Sequence, residues 1–162
     1  MILVLTGTQE IPFRRLVDGI ISFASESTCE QEFVIQAGSV VVKSAPNFEV
    51  FDYCAHDKLM KLVADADFIV THAGTGSIIS GLRLGKKVIV MPRMKKFFEH
   101  NDDHQTEIAK LFLSSGFVLV WEEGEEFSSV LQRLKEFSPK EYVSSFDSFG
   151  KSILSDVERF FR

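Results

Sequence analysis

The feature that most constrains the fold of this sequence is a regular alternation of short apolar runs with segments of helical period. The runs predict strands over 2–5, 33–35, 48–51, 68–71, 88–91 and 117–121. Between them, apolar residues recur three and four apart and predict helices around 11–21, 59–63, 78–84 and 108–112. Strand, helix and strand joined by short loops predict an α/β protein, with a parallel sheet covered by helices on both faces.

The C-terminal stretch differs in kind from the rest of the chain. Within a segment spanning 140–162, five apolar residues recur three or four positions apart with polar residues between them: Phe146, Phe149, Ile153, Val157 and Phe160. This spacing predicts an amphipathic helix. We expect the helix either to pack on its own sheet or to dock in part on another protein. With 162 residues, the whole chain is predicted to form a single domain over 1–162.

Composition excludes several functional classes. The formal net charge is -5, with a pI near 5.4, which argues against nucleic acid as the main partner. No apolar run approaches the roughly 20 residues of a membrane helix, and 1–5 is too short for a secretory signal. Cys29 and Cys54 lack metal-like spacing and suggest reduced thiols in a cytoplasmic setting. The 16 Phe residues predict either an aromatic-rich core or a face that another protein buries.

Polar residues and glycines follow directly after several predicted strands. Ligands of an open parallel sheet bind beyond the carboxyl ends of its strands. The first strand is followed by Gly7, Thr8 and Gln9, and the second by Gln36 and Gly38. After the strand over 68–71, the run over 72–77 reads His-Ala-Gly-Thr-Gly-Ser and leads directly into a helix. The sequence therefore predicts a ligand site formed by these three loops.

The glycine turn after the fourth strand predicts an anion site. Gly74 and Gly76 allow close backbone approach, and free N–H groups at a helix start favour negative charge. Thr75 and Ser77 add hydroxyl donors, so the turn could hold a diphosphate. Glycine turns are also common in any sheet of this kind. The spacing matches neither the P-loop nor the dinucleotide fingerprint.

The most polar cluster of the chain, over 93–105, follows the strand that ends at Pro92, and three interpretations are open. It is a solvated loop in which Asn101 caps the next helix. Alternatively, Asn101, Asp102, His104 and Gln105 form hydrogen bonds to a polyhydroxylated ligand. As a third interpretation, His100 and His104 bind a metal, but no Cys or further His accompanies them.

Two further residues carry competing interpretations. His72 is either a general base or a histidine whose ring fixes the glycine turn, and we favour the second. A nucleophilic role is not expected for Cys54. Arg93, with Lys95 and Lys96, could accommodate a carboxylated ligand such as a uronic acid.

Four motifs together resemble the C-terminal domain of family 28 glycosyltransferases. They are the run over 72–78, Leu-Arg-Leu-Gly-Lys over 82–86, Met-Pro-Arg over 91–93 and Glu-His-Asn-Asp-Asp-His-Gln over 99–105. The chain is similar to the free-standing subunit of two-component enzymes, of the bacterial PssE-type capsule and exopolysaccharide kind and of eukaryotic dolichol-linked GlcNAc transfer. Gly-Thr-Gln over 7–9, with Pro12 and Phe13, looks like the bacterial branch.

The resemblance implies the Rossmann-like, donor-binding half of a GT-B fold and assigns roles to matching positions. Thr75, Gly76 and Ser77 would contact the diphosphate of a UDP-sugar without a metal, with the 7–9 loop close by. His104 and Gln105 would bind hydroxyls of the sugar, and Gln36 and Gly38 would lie near the nucleotide. Where many relatives carry a ribose-binding Glu, this sequence has Ser80, so ribose binding is weaker, water-mediated or supplied elsewhere.

The resemblance also implies a partner. One sheet domain forms only one wall of a transfer site, so a membrane-anchored subunit would supply the acceptor site and the general base, and would recruit this cytoplasmic chain to the membrane. The acceptor would be a lipid-linked sugar, and the isolated chain could self-associate. Two other functions remain open. One is a non-catalytic module that binds nucleotide sugars, and the other is an independent enzyme using His72 as base.

Overall fold

The computed structural model describes residues 1–26, 29–42 and 47–143. Its strands are β1 (Ile2–Leu5), β2 (Phe33–Gln36), β3 (Phe48–Phe51), β4 (Phe68–His72), β5 (Lys87–Met91) and β6 (Leu119–Val120). Its helices are α1 (Arg14–Ala24), α2 (His56–Asp65), α3 (Thr75–Arg83), α4 (His104–Ser114) and α5 (Phe127–Glu136), with a 3₁₀ turn over Lys95–Phe97. The six strands that the sequence predicts are all present.

The strands form one sheet in the order β3-β2-β1-β4-β5-β6, with every pair parallel. At its carboxyl end, Leu5 of β1 lies between Gln36 of β2 and Thr71 of β4. Strands β2 and β3 follow one another on one side of β1, and strands β4, β5 and β6 follow one another on its other side. Strand order therefore reverses between β1 and β4, and a crevice for ligands opens there.

Alternating residues of each strand feed two apolar layers. Ile2 and Val4 of β1 face a cluster with Leu16 and Ile20 of α1, which also includes Phe127 of α5. On the opposite face, Leu3 and Leu5 pack with Val63 of α2, and α3 and α4 cover the neighbouring strands. Both faces of the sheet are buried, as the continuous apolar runs predict.

Helix α5 is an element that the sequence analysis missed. Its buried residues Phe127, Val130 and Leu134 repeat three and four apart, so the helical signal was present. α5 packs beside α1, where Phe23 and Phe127 meet edge to face with ring centroids 5.2 Å apart. Gly19 makes room on α1, because a Cβ there would lie 2.6 Å from the Trp121 ring. Part of the phenylalanine excess thus fills the core between these helices.

The end of the described chain leaves α5 and returns to the sheet. The Lys140 N–H donates to the Gly116 carbonyl at 3.0 Å, and the Tyr142 ring packs edge to face on Phe117. The amphipathic helix predicted within 140–162 lies, from residue 144 onward, outside the described residues. Among the helices that the structure describes, none has the length and apolar character needed to cross a membrane.

Candidate functional site

The loops after β1 and β4 meet around one histidine ring. A Cβ on Gly7 would lie 2.6 Å from the His72 ring, and a Cβ on Gly74 would lie 2.1 Å from its Nε2. Gly7 also has φ +88, a backbone conformation that disfavours every side chain. Both glycines are therefore required by the close approach of two loops to the ring between them.

His72 is a neutral side chain in this setting. Burial lowers its pKa to about 4, and the neighbouring Arg93 and His100 act in the same direction. Its Nδ1 lies 3.3 Å from Thr71 Oγ1. A half-buried ring that packs between two glycines and resists protonation supports the structural interpretation, in which His72 fixes the turn.

Gln36, at the end of β2, holds the loop after β1. Its Oε1 accepts from the Gly7 N–H, and its Nε2 donates to the Gly7 carbonyl, both at 3.0 Å. Nε2 also donates to the Asp52 carbonyl at 2.8 Å. Gly38 adds a close backbone approach, with φ +59 and a Cβ position 3.2 Å from Thr6 Oγ1. Gln36 and Gly38 shape the loop, with the Gln36 amide bonded to main chain.

The start of α3 presents free N–H groups beyond the β1 and β4 strand ends. The Ile78 N–H donates to the Gly74 carbonyl at 3.1 Å, so the N–H groups of 75–77 precede the helical ladder. Thr75 and Gly76 are exposed and Ser77 is half-buried. No atom lies within 4 Å of a Cβ placed on Gly76. An anion could therefore reach this helix start from solvent.

Ser80 faces back into its own helix. Its Oγ donates to the Gly76 carbonyl at 2.8 Å, one turn earlier in α3. The hydroxyl at the position of the relatives' ribose-binding Glu is thus already bonded within the helix.

Arg93 lies inside the fold, which corrects the expectation that it could meet a carboxylated ligand. Only 1% of the residue is exposed. Its guanidinium donates to the carbonyls of Thr6 at 2.8 Å, Ile11 at 2.7 Å and Glu99 at 3.1 Å. Burial lowers the pKa of Arg93, and the Glu99 carboxylate opposes that effect. A guanidinium held by three main-chain carbonyls is not available to a sugar.

The loop over 92–103, between β5 and α4, contacts the loop over 6–13 that follows β1. We name them the sugar loop and the β1 loop. Gln9 Nε2 lies 3.0 Å from His100 Nε2, and His100 Nδ1 lies 2.9 Å from Asp102 Oδ1. Buried Glu99 bonds Arg15 of α1 at 3.0 and 2.8 Å. Sequence reasoning missed Arg15 and Glu99, whose pairing joins residues 84 positions apart.

The polar residues at the start of α4 divide into exposed and buried groups. Asn101, Asp102 and His104 are exposed, and Gln105 is buried. The His104 N–H donates to Asp102 Oδ1 at 3.0 Å and lowers the pKa of that carboxyl, with His100 adding to the effect. Gln105 Oε1 accepts from the Arg93 N–H at 3.1 Å. The Asp102 carboxylate, and not Asn101, thus accepts from the first N–H of α4, while the N-cap position is Asp103.

The structure brings most predicted site residues to one edge of the sheet. The β1 loop with Thr8 and Gln9, the turn over 72–77 and the sugar loop surround the β1–β4 crevice. Within the described ranges, no three His, Cys, Asp or Glu side chains lie together as a set that could hold a metal ion. Metal-independence itself stays a prediction.

Comparison with known proteins places this chain in a family. Residues 1–155 match the model of the glycosyltransferase family 28 C-terminal domain. The chain belongs to this family. It is 27% identical over 80% of its length to the UDP-N-acetylglucosamine transferase subunit ALG13 of Kluyveromyces lactis, and 30% identical over 74% to that of Yarrowia lipolytica. The family 28 chain spans 63% and 64% of these relatives, under two thirds of either.

Solved structures confirm the fold of this family 28 domain. The solution structure of ALG13 matches 92% of both chains with a TM-score of 0.58 at 22% identity. The calicheamicin glycosyltransferase CalG4 matches 90% of this chain and 34% of its own, with a TM-score of 0.61 at 15% identity. The predicted fold class, a Rossmann-like half of a GT-B glycosyltransferase, is therefore confirmed.

Proposed function

We propose that this family 28 domain is the donor-binding subunit of a two-chain inverting glycosyltransferase that moves a sugar from a UDP-sugar to a lipid-linked acceptor. The observation that carries the proposal is the exposed start of α3 at the strand-order reversal. There the N–H groups of Thr75, Gly76 and Ser77 precede the hydrogen-bond ladder of the helix, close to the β1 loop. Family membership and the names of the relatives support the same function.

The start of α3 supplies what departure of a diphosphate requires. Inverting transfer breaks the bond between the sugar and UDP, so negative charge develops on the diphosphate. Three N–H groups, the helix dipole and two hydroxyls can stabilise that charge without a metal. His72 is neutral here because burial lowers its pKa, so this stabilisation needs no charge from the ring.

The exposed polar groups before α4 are suited to the sugar of the donor. Asn101, Asp102 and His104 face solvent and carry both donors and acceptors. Gln105 uses its Oε1 within the fold and retains Nε2 as a donor. Because the relatives are named for UDP-N-acetylglucosamine, that compound is the first donor to test.

The acceptor and the general base belong to a second subunit in this proposal. One sheet edge forms one wall of a cleft, and the acceptor hydroxyl must approach the donor from the other side. His72 is a poor base because burial holds its pKa near 4. A membrane-anchored partner would supply these groups and hold the chain at the cytoplasmic face of the membrane.

Reconstitution separates this function from its alternatives. Co-expression with a membrane-anchored partner encoded beside it should give sugar transfer that Ser77→Ala reduces. Nucleotide-sugar binding without transfer in any reconstituted pair would favour a non-catalytic regulatory module. Turnover by the isolated chain, lost in His72→Ala, would instead favour an independent enzyme.

A further inference from the structure

We propose that Arg93 is a positioning residue that locks the β1 loop and the sugar loop into one donor site. The inference rests on the proposed function and assigns to Arg93 a role through other residues, with no ligand contact of its own. The β1 loop lies beside the diphosphate site at α3, whereas the sugar loop leads into the residues assigned to the sugar. Arg93 joins the main chains of the two loops, in addition to the side-chain contact between Gln9 and His100.

The geometry of the guanidinium supports this role. Nη2 donates to Thr6 and Nη1 to Ile11, at the two ends of the turn in the β1 loop. Nη1 also donates to the Glu99 carbonyl in the sugar loop. All three acceptors are main-chain atoms, so the bonds fix backbone positions directly and do not depend on which side chains the loops carry.

Neighbouring residues hold the guanidinium of Arg93 in place. The Phe13 ring lies 4.7 Å from the guanidinium carbon and covers one side of it. The backbone N–H of Arg93 donates to Gln105 Oε1, so the same residue also anchors the first turn of α4. Main chain and side chain of Arg93 therefore tie the β1 loop, the sugar loop and α4 together.

Lysine cannot reproduce this arrangement. A guanidinium presents a planar fork of five donors, whereas an ammonium is a compact point charge on a flexible stem. Lysine at position 93 would keep the buried charge but could not span both loops in the same way. Arg93→Lys should therefore loosen the loops relative to each other while it retains the strands and helices.

The affinities for UDP and for a UDP-sugar should fall by different factors when the two loops loosen. UDP contacts the α3 start and the β1 loop, but a UDP-sugar also needs the sugar loop in register with them. We expect Arg93→Lys to weaken UDP-N-acetylglucosamine by about tenfold or more, and UDP by clearly less. A general loss of fold would lower both affinities by the same factor.

The experiment combines calorimetric titration with amide hydrogen exchange on the full chain. Arg93→Lys should speed exchange in both 6–13 and 99–105 and widen the gap between the two ligand affinities. Arg133→Lys, on α5, is the control. Arg133 also donates to a main-chain carbonyl, that of Val120 at 2.7 Å, but it lies outside both loops. The control should leave both loops and both affinities unchanged.

A second variant protects the test against misfolding. Arg93→Ala leaves a guanidinium-shaped space, and millimolar methylguanidinium should restore exchange protection and sugar-nucleotide affinity in part. The inference would be overturned if amide exchange in both loops of Arg93→Lys were as slow as in the wild type. It would also be overturned if UDP and UDP-N-acetylglucosamine lost affinity by the same factor. If the wild-type chain bound neither ligand, both alone and together with its partner subunit, the proposed function would fail, and the exchange data alone would decide whether Arg93 couples the loops.

Discussion

Gln36 forms a two-point pair with the peptide groups of Gly7, accepting from its N–H and donating to its carbonyl, each at 3.0 Å. The pair extends the contact between β1 and β2 beyond the last strand residues. It also holds Gly7 at φ +88 against the His72 ring. A side-chain amide at a strand end thus sets the path of a loop that borders the proposed diphosphate site.

Replacing Gln36 should therefore cost both stability and binding. Gln36→Leu leaves the buried polar groups of Gly7 unpaired and should lower the free energy of unfolding by about 2–3 kcal/mol. It should also weaken UDP binding, because the β1 loop loses its fixed path. Urea denaturation and UDP titration measure the two effects. Gln132→Leu, at an exposed position of α5, is the control and should change neither quantity.

Alanine substitutions at Gly74 and Gly76 should have different effects on the stability of the protein. Gly74→Ala places a Cβ against His72 and should destabilise the protein by about 1–3 kcal/mol. Gly76→Ala meets no atom within 4 Å, so stability should hold or rise while UDP affinity falls. Adding His72→Ala should remove most of the cost of Gly74→Ala. Additive effects in that double-mutant cycle would contradict the packing described for the ring.

The low pKa of His72 predicts a pH dependence of stability. The unfolded chain takes up a proton near pH 6.5, but folded His72 resists protonation until about pH 4. Stability should therefore fall as pH drops from about 6.5 to 4, by up to about 3 kcal/mol from this residue. Denaturation of wild type and His72→Gln across this range isolates the effect. Parallel curves for the two proteins would show that His72 is not the titrating group.

Ser77 and Ser80 form a matched pair on α3. Ser77→Ala should weaken UDP binding by about 1–2 kcal/mol if its hydroxyl bonds the diphosphate. Ser80→Ala should leave UDP affinity unchanged, because its hydroxyl donates to the Gly76 carbonyl. Titration with UDP tests both variants. A larger loss for Ser80→Ala would place the ribose contact at Ser80.

Most strands could be predicted because each is a short apolar run buried on both faces, whereas the edge strand β3 is only half-buried. Local signals also located the turn over 72–77, where a strand leads directly into a helix. The sequence analysis missed α5 because Phe127, Val130 and Leu134 repeat over only two turns, among many charged residues. Strand 117–121 was predicted longer than the two residues that pair with β5.

The orientation of polar site residues could not be predicted in the same way. The side chains of Arg93 and Gln36 turn inward because they donate to main-chain carbonyls of a loop distant in sequence. Arg93 donates to Thr6 and Ile11, and Gln36 donates to Gly7. These acceptors are main-chain atoms, which leave no mark in the sequence. Local spacing therefore identified the loops of the site but not which side chains build them and which face a ligand.

Calorimetric titration of the isolated chain with UDP, and then with a panel of UDP-sugars, tests the central claim most directly. The donor-binding assignment predicts UDP binding that persists in EDTA, with tighter binding for one sugar nucleotide. Ser77→Ala should weaken that binding and Ser80→Ala should not. Absence of binding at millimolar UDP, both for the chain alone and for the chain co-purified with its partner, would contradict the assignment.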